Sequence, residues 1–196
     1  MHVSNQRRCR IAVTGGPGGG KSTAVDLFRR ELGERVVVVP ESATLLFSGG
    51  FPRTREPESR RCAQRAIFHV QRNLEDLYAS EYPDRVLVCD RGTIDGAAYW
   101  PVDGDYFEAM GTRFEAELAR YDAVIFFESA ALGGMSIEGG NPTRTEDDVE
   151  AARLDRALRE LWSNHERFTL VPHQPSFFAK LTAGLEALQA AVDART

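Results

Sequence analysis

The run Gly15-Gly16-Pro17-Gly18-Gly19-Gly20-Lys21-Ser22 has the spacing G-x-x-x-x-G-K-S/T, and each residue type in it has a use in holding a polyphosphate. Glycines let the backbone take positive φ and come close to an anion, so that Gly16, Pro17, Gly18, Gly19 and Gly20 can form a concave nest into which the N–H groups of the glycines point. Lys21 would carry a compact positive charge to the outer phosphates. The hydroxyl of Ser22 would ligate Mg²⁺, and with Thr23 it opens a helix whose positive end faces the same anion. The chain has 22 Arg and only two Lys, Lys21 and Lys180. One of those two stands where a lysine is the expected phosphate binder and an arginine the unusual one.

Phosphoryl transfer asks a protein mainly for positioning and charge stabilisation, so the other useful groups are a metal carboxylate, a base beside the acceptor and cations on the phosphates. Asp90 ends an apolar run and is expected near Ser22 and Mg²⁺, with a helix N-cap as its plain alternative. Arg91 follows it, either on a phosphate or acceptor or in a structural ion pair. Glu41 ends another apolar run and is the candidate base for an acceptor hydroxyl, with Asp90 as its rival and a carboxylate favouring the start of a short helix as its plain alternative. Arg144 lies behind Gly133-Gly134 and Gly139-Gly140 in a segment, 128–145, suited to closing over a nucleotide; it would bring a forked, permanent charge to the phosphates. A surface loop with Arg144 paired to Glu146 or Asp147 is the bland alternative. Base choice has no readable signature, though contacts near Pro172-His173 could set it.

These residues need a scaffold that gathers them. Residues 10–14, 35–39, 85–89, 123–127 and 168–171 are short β-branched or apolar runs without polar alternation, as expected of parallel strands covered on both faces. Helical spacing follows the first run at Ala24, Val25, Leu27, Phe28 and Leu32. Further helices are expected over about 58–79, 94–99, 103–120, 146–164 and 175–194, with Thr145 as an N-cap and 42–57 irregular. In the long helix, Ala63, Ile67, Val70, Leu74 and Leu77 form one stripe and Arg61, Arg65 and Arg72 a solvated opposite face. Arg60, Gln64 and Gln71 flank the stripe and could line an acceptor pocket. His69, Trp100 and Trp162 receive no role. Alternation of strand and helix implies an α/β fold with right-handed crossovers, in which ligands bind beyond the carboxyl ends of the strands.

At 196 residues the chain is long enough to bury about 70% of its unfolded surface. We expect a flexible arm over 1–9 and a single domain over 10–196. A net charge of −5 argues against nonspecific nucleic-acid binding, which depends on neutralising many phosphates. Cys9, Cys62 and Cys89 are widely spaced and read as reduced thiols rather than a disulfide framework or zinc site. Neither an apolar signal core nor a transmembrane run is present, so a cytoplasmic protein is expected. A homo-oligomer is left open.

The segments GGPGGGKST, Pro40-Glu41, DRGTIDGAAYW at 90–100, ESAA at 128–131 and NPTRTE at 141–146 together resemble a P-loop kinase-type family. It includes the nicotinamide riboside kinase domains of NadR-type proteins and the GTP-binding TRPL-translocation-defect protein. More loosely, the chain is similar to deoxynucleoside and thymidylate kinases, although deoxynucleoside kinases carry Ser where Gly92 stands. The resemblance implies a P-loop NTPase three-layer αβα sandwich, with a five-stranded parallel sheet and a lid. It also implies Lys21, Ser22 and Thr23 as phosphate and metal contacts, Asp90 and Arg91 as a pair by the acceptor, Arg144 as the lid arginine and Glu41 as the base. The expected function is Mg²⁺-dependent transfer from ATP or GTP to an unidentified, nucleoside-like small molecule. The other class considered is a nucleotide-dependent switch or binding module, with acidic lipid as one partner.

Overall fold

The computed structural model describes residues 8–130 and 148–194. Five strands form one parallel sheet: β1 (Arg10–Thr14), β2 (Val36–Val39), β3 (Val86–Asp90), β4 (Ala123–Phe127) and β5 (Phe168–Val171), in the order β2-β3-β1-β4-β5. This is the expected α/β, five-stranded parallel architecture. Side chains alternate faces along a strand, and the central strand shows why each needs a cover on both sides. Ile11 and Val13 pack with Ala24, Val25, Phe28 and Leu32 of α1 (Lys21–Leu32) and with Leu188 and Val192 of the C-terminal helix, while Ala12 packs on the opposite face. There it meets Leu154, Leu158 and Trp162. Polar alternation is absent because neither face sees water.

The remaining described helices are α2 (Ser42–Ser48), α3 (Pro57–Glu81), α4 (Gly96–Tyr99), α5 (Tyr106–Ala109), α6 (Phe114–Leu118), α7 (Asp148–Trp162) and α8 (Phe177–Asp193). Three differ from the sequence reading. Residues 42–48 are helical rather than irregular: the Ser42 hydroxyl donates to Ile67 O at 3.1 Å, which anchors two turns too short to show a period, and Gly50 at φ 94 turns the chain away. The helix expected over 103–120 is instead two short ones, separated where Gly111 takes φ 67. Asp105 caps the first by accepting from the Glu108 amide at 3.0 Å.

The third difference is the rotation of α3. Its buried residues are Ala63, Phe68, Gln71 and Glu75, and Leu77 is 53% exposed. The helix turns a polar edge inward because that edge has partners: Tyr121 donates to Glu75 Oε1 at 2.7 Å and Arg120 to Oε2 at 2.8 Å. A buried carboxylate paired in this way is tolerated where an unpaired one would ionise poorly. Arg72, expected on a solvated face, donates to Glu117 Oε1 at 3.1 Å. The expected starts of α7 at Glu146 and its cap Thr145, most of the N-terminal arm and most of the 128–145 segment lie outside the described residues.

Candidate active site

Val13 and Asp90 are register partners at the carboxyl ends of β1 and β3, and the glycine-rich loop leaves the sheet immediately beyond. Gly15 is held at φ 136 with the Phe127 carbonyl 2.0 Å from where a Cβ would sit, so only glycine fits there. The loop then curls on itself. Gly19 N donates to Gly16 O at 3.3 Å, and Lys21 Nζ donates to the same carbonyl at 2.7 Å. Asp155 of α7 fixes the loop from outside, its Oδ1 accepting from the amides of Gly16 at 2.9 Å and Ser129 at 2.8 Å. Ser129 also donates through its hydroxyl to Pro17 O.

Gly20 takes φ 85 as the N-cap of α1 with no side-chain cap. Its own amide and those of Lys21, Ser22 and Thr23 are the four that a helix start leaves without intrahelical partners. Among the described residues they, and the Gly18 amide, make no backbone hydrogen bond. The side chains of Ser22 and Thr23 are exposed while Lys21 is buried. A set of unpaired amides at a helix N-terminus, beside a buried ammonium, suits an anion. Burial, with the charge of Arg91 next in weight, lowers the Lys21 ammonium to about 7, against the opposing pull of Asp90, Glu41 and Asp95.

The ends of β2 and β3 meet through Arg91. This residue adopts φ 69, unusual without a glycine, and its amide donates to Val13 O at 3.0 Å. Its Nε donates to Glu41 Oε1 at 2.5 Å, and its NH1 to Asp95 Oδ2 at 2.9 Å and Gly15 O at 3.4 Å. Thr44 donates its hydroxyl to the other Glu41 oxygen. Burial works to raise the Glu41 carboxyl, yet Arg91, the Thr44 hydroxyl and Lys21 together hold it below the usual carboxylate range. Asp90 behaves oppositely: burial, then the neighbouring Glu41 charge, push it up to about 6 despite Arg91 and Lys21.

Glu41, Asp90, Arg91 and Lys21 therefore share one electrostatic environment, with Asp90 and Lys21 buried and Glu41 and Arg91 half-buried, while Arg144 lies outside the described residues. Arg91 stands in ion-pair geometry, the second of the two roles its sequence position allows. Gln71 is 2% exposed, and its amide lies 3.4 Å from both Arg91 O and Ser42 N, bracing the segments that follow β3 and β2. Arg60 donates to Tyr99 O at 2.6 Å. Sequence reasoning missed Thr14, Asp95 and Asp155; Trp162 takes part as a core residue that braces Asp95 from α7. The Arg91–Asp95 spacing of four was the one local sign of a pair.

A family model described as an AAA domain matches residues 10–176, and the chain belongs to this family of P-loop NTPases. A solved structure of deoxyadenosine kinase from M. mycoides with bound dATP is similar in fold, with a TM-score of 0.61 and 13% identity over 93% of this chain and 100% of that one. No curated protein matches the chain. The molecule is thus a nucleotide-binding P-loop protein with a kinase-like fold, and among the described residues no helix is long and apolar enough to cross a membrane.

Proposed function

We propose that the protein is a Mg²⁺-dependent kinase that moves the γ-phosphoryl group of ATP or GTP to a hydroxyl of a small, nucleoside-like molecule. The observation that carries this reading is the joining of a carboxylate from the end of β2 to the phosphate loop through Arg91, which bonds both Glu41 Oε1 and Gly15 O. A nucleotide-dependent switch needs the loop, whereas a base positioned beside it is what transfer to an acceptor needs.

The loop's unpaired amides and Lys21 would hold the phosphates. The fit to Mg²⁺ rests on the donor set: the Ser22 hydroxyl is exposed at the helix start, and Asp90 accepts none of the side-chain hydrogen bonds among the described residues, leaving oxygen donors of the kind this hard cation prefers. When bound, the ion would neutralise charge on the phosphates. Glu41, kept ionised by Arg91, would take the proton of the acceptor hydroxyl. That oxygen bonds to the γ-phosphorus as the bond from phosphorus to the β–γ bridging oxygen breaks, and the nucleoside diphosphate leaves with the electron pair. Asp90, lying closer to neutrality, is the alternative proton acceptor. Arg144 and the 128–145 lid belong to the proposal on sequence grounds.

A panel of nucleosides and related alcohols, incubated with γ-labelled ATP or GTP and Mg²⁺, tests the reading. One or more should be phosphorylated, and Glu41→Gln should lower that rate by roughly 10²–10⁴-fold, the usual worth of a general base, with nucleotide affinity within about twofold. Unchanged transfer in the variant removes Glu41 as base. Nucleotide binding without transfer to any member favours the switch.

A further inference from the structure

Asp95 is 5% exposed, and three donors converge on its two oxygens. Its Oδ1 accepts from Trp162 Nε1 at 2.7 Å and lies 2.9 Å from the Thr14 hydroxyl, while Oδ2 accepts from Arg91 NH1 at 2.9 Å and lies 2.8 Å from the same hydroxyl. The donors come from three separate places in the fold: the end of β1, the turn after β3 and the last residue of α7.

We propose that Asp95 is the positioning residue of the acceptor side, acting through Arg91 to aim Glu41. The proposal rests on the kinase reading for its consequence, though not for its geometry. A residue without glycine's freedom at positive φ persists only where its surroundings over-determine it. Arg91 is so determined, by its amide on Val13 O, by its Nε on Glu41 and by its NH1 on Asp95. The Nε and NH1 contacts together fix which way the planar fork faces, and Asp95 supplies the second of them. Removing the Asp95 charge leaves NH1 with Gly15 O at 3.4 Å, so the guanidinium can rotate and carry its Nε off Glu41. A neutral amide at 95 does not replace the carboxylate, because three donors converge there and Asn offers one acceptor oxygen and a competing donor. The Trp162 contact serves another end, tying Asp95 to α7 and leaving the fork alone.

Asp95→Asn and Trp162→Phe separate positioning from mere support. Two readouts apply: the ¹H–¹⁵N signal of Arg91 Nε–H, assigned with Arg91→Lys, and turnover with nucleotide affinity measured separately. Asp95→Asn should abolish the slowly exchanging Arg91 signal and lower kcat by about 10–100-fold while nucleotide Kd changes less than about twofold, the pattern of an interaction used in the transition state alone. Trp162→Phe should lose thermal stability yet keep the signal and kcat within about threefold. An Asp95→Asn protein that retains signal and turnover overturns the proposal, as does Trp162→Phe losing as much of both. If Asp95→Asn does not fold, Asp95→Glu decides, since it keeps the charge but displaces it: lost turnover in a folded protein is expected, and full turnover contradicts the assignment. Absence of any acceptor turnover in the wild type counts against the kinase reading, while the Arg91 signal still decides the role of Asp95.

Discussion

The phosphate loop and the Arg91 cluster adjoin at the carboxyl ends of β1, β2 and β3, yet their polar groups are satisfied in opposite ways. The amides of Gly18, Gly20, Lys21, Ser22 and Thr23 have no backbone partner among the described residues. Arg91 has Glu41, Asp95 and Gly15 O, and Asp95 has three donors of its own. An unpaired amide costs little at a solvent-facing helix start and is available to a ligand. A buried charge has to be paired within the protein. The phosphate loop is thus left open for what it binds, and the side proposed for the acceptor has its charges paired before anything arrives.

Variants that strike one side at a time break or sharpen this contrast. The largest effect is expected from Arg91→Ala, which leaves the buried carboxylate of Asp95 and the half-buried one of Glu41 without their cation. Losing one partner of a buried pair typically costs about 3–5 kcal/mol, read as a fall in Tm of roughly 10 °C. A drop of only a degree or two would mean that water already shares the cluster. Gly16→Ala strikes the loop instead, since its Cβ would sit 2.4 Å from Asp155 Oδ1. Severing that tie should destabilise by about 1–2 kcal/mol and weaken ATP or GTP binding by roughly 10–100-fold, or about 1.4–2.8 kcal/mol. Equal nucleotide affinity in titration calorimetry would show that Asp155 does not shape the nest.

The smallest effect concerns Asp90 and has a sign that depends on pH. Its carboxyl is raised from 3.8 to about 6 by burial and by Glu41, so the folded state holds the proton more tightly than the unfolded one. Stability from this group is present at low pH and is lost as pH rises from about 4 to about 6. Asp90→Asn, which never ionises, should therefore be the more stable protein at pH 7, while losing Mg²⁺-dependent nucleotide affinity. The difference in Tm between the two proteins should open across that window. A constant difference from pH 4 to 7 contradicts the raised value.

How far the sequence foretells this arrangement depends on the distance over which each feature is encoded. The loop and the five strands are local: spacing and β-branched runs in a few consecutive residues name them, and strand-end logic brings Glu41, Asp90 and Arg91 to one place. Asp155 is invisible in sequence, and Asp95 shows there only its spacing from Arg91, because their other partners are remote, Trp162 lying 67 residues from Asp95 and Asp155 lying 139 from Gly16. Gln71 is legible as a polar residue at the edge of the stripe, but its use is not, since only the fold shows that Arg91 O and Ser42 N are within its reach. The rotation of α3 is hidden for the same reason: periodicity locates apolar residues, and the pairing that allows Glu75 inward belongs to Tyr121 and Arg120.

The account turns on the loop receiving a nucleotide's phosphates, and isothermal titration of Mg·ATP and Mg·GTP into the wild type and Lys21→Ala tests that most directly. Saturable heat is expected with at least one nucleotide. Affinity in the variant should fall by about 10–100-fold, as befits loss of a hydrogen bond to a charged group. No heat with either nucleotide, or the same isotherm for both proteins, would contradict the account.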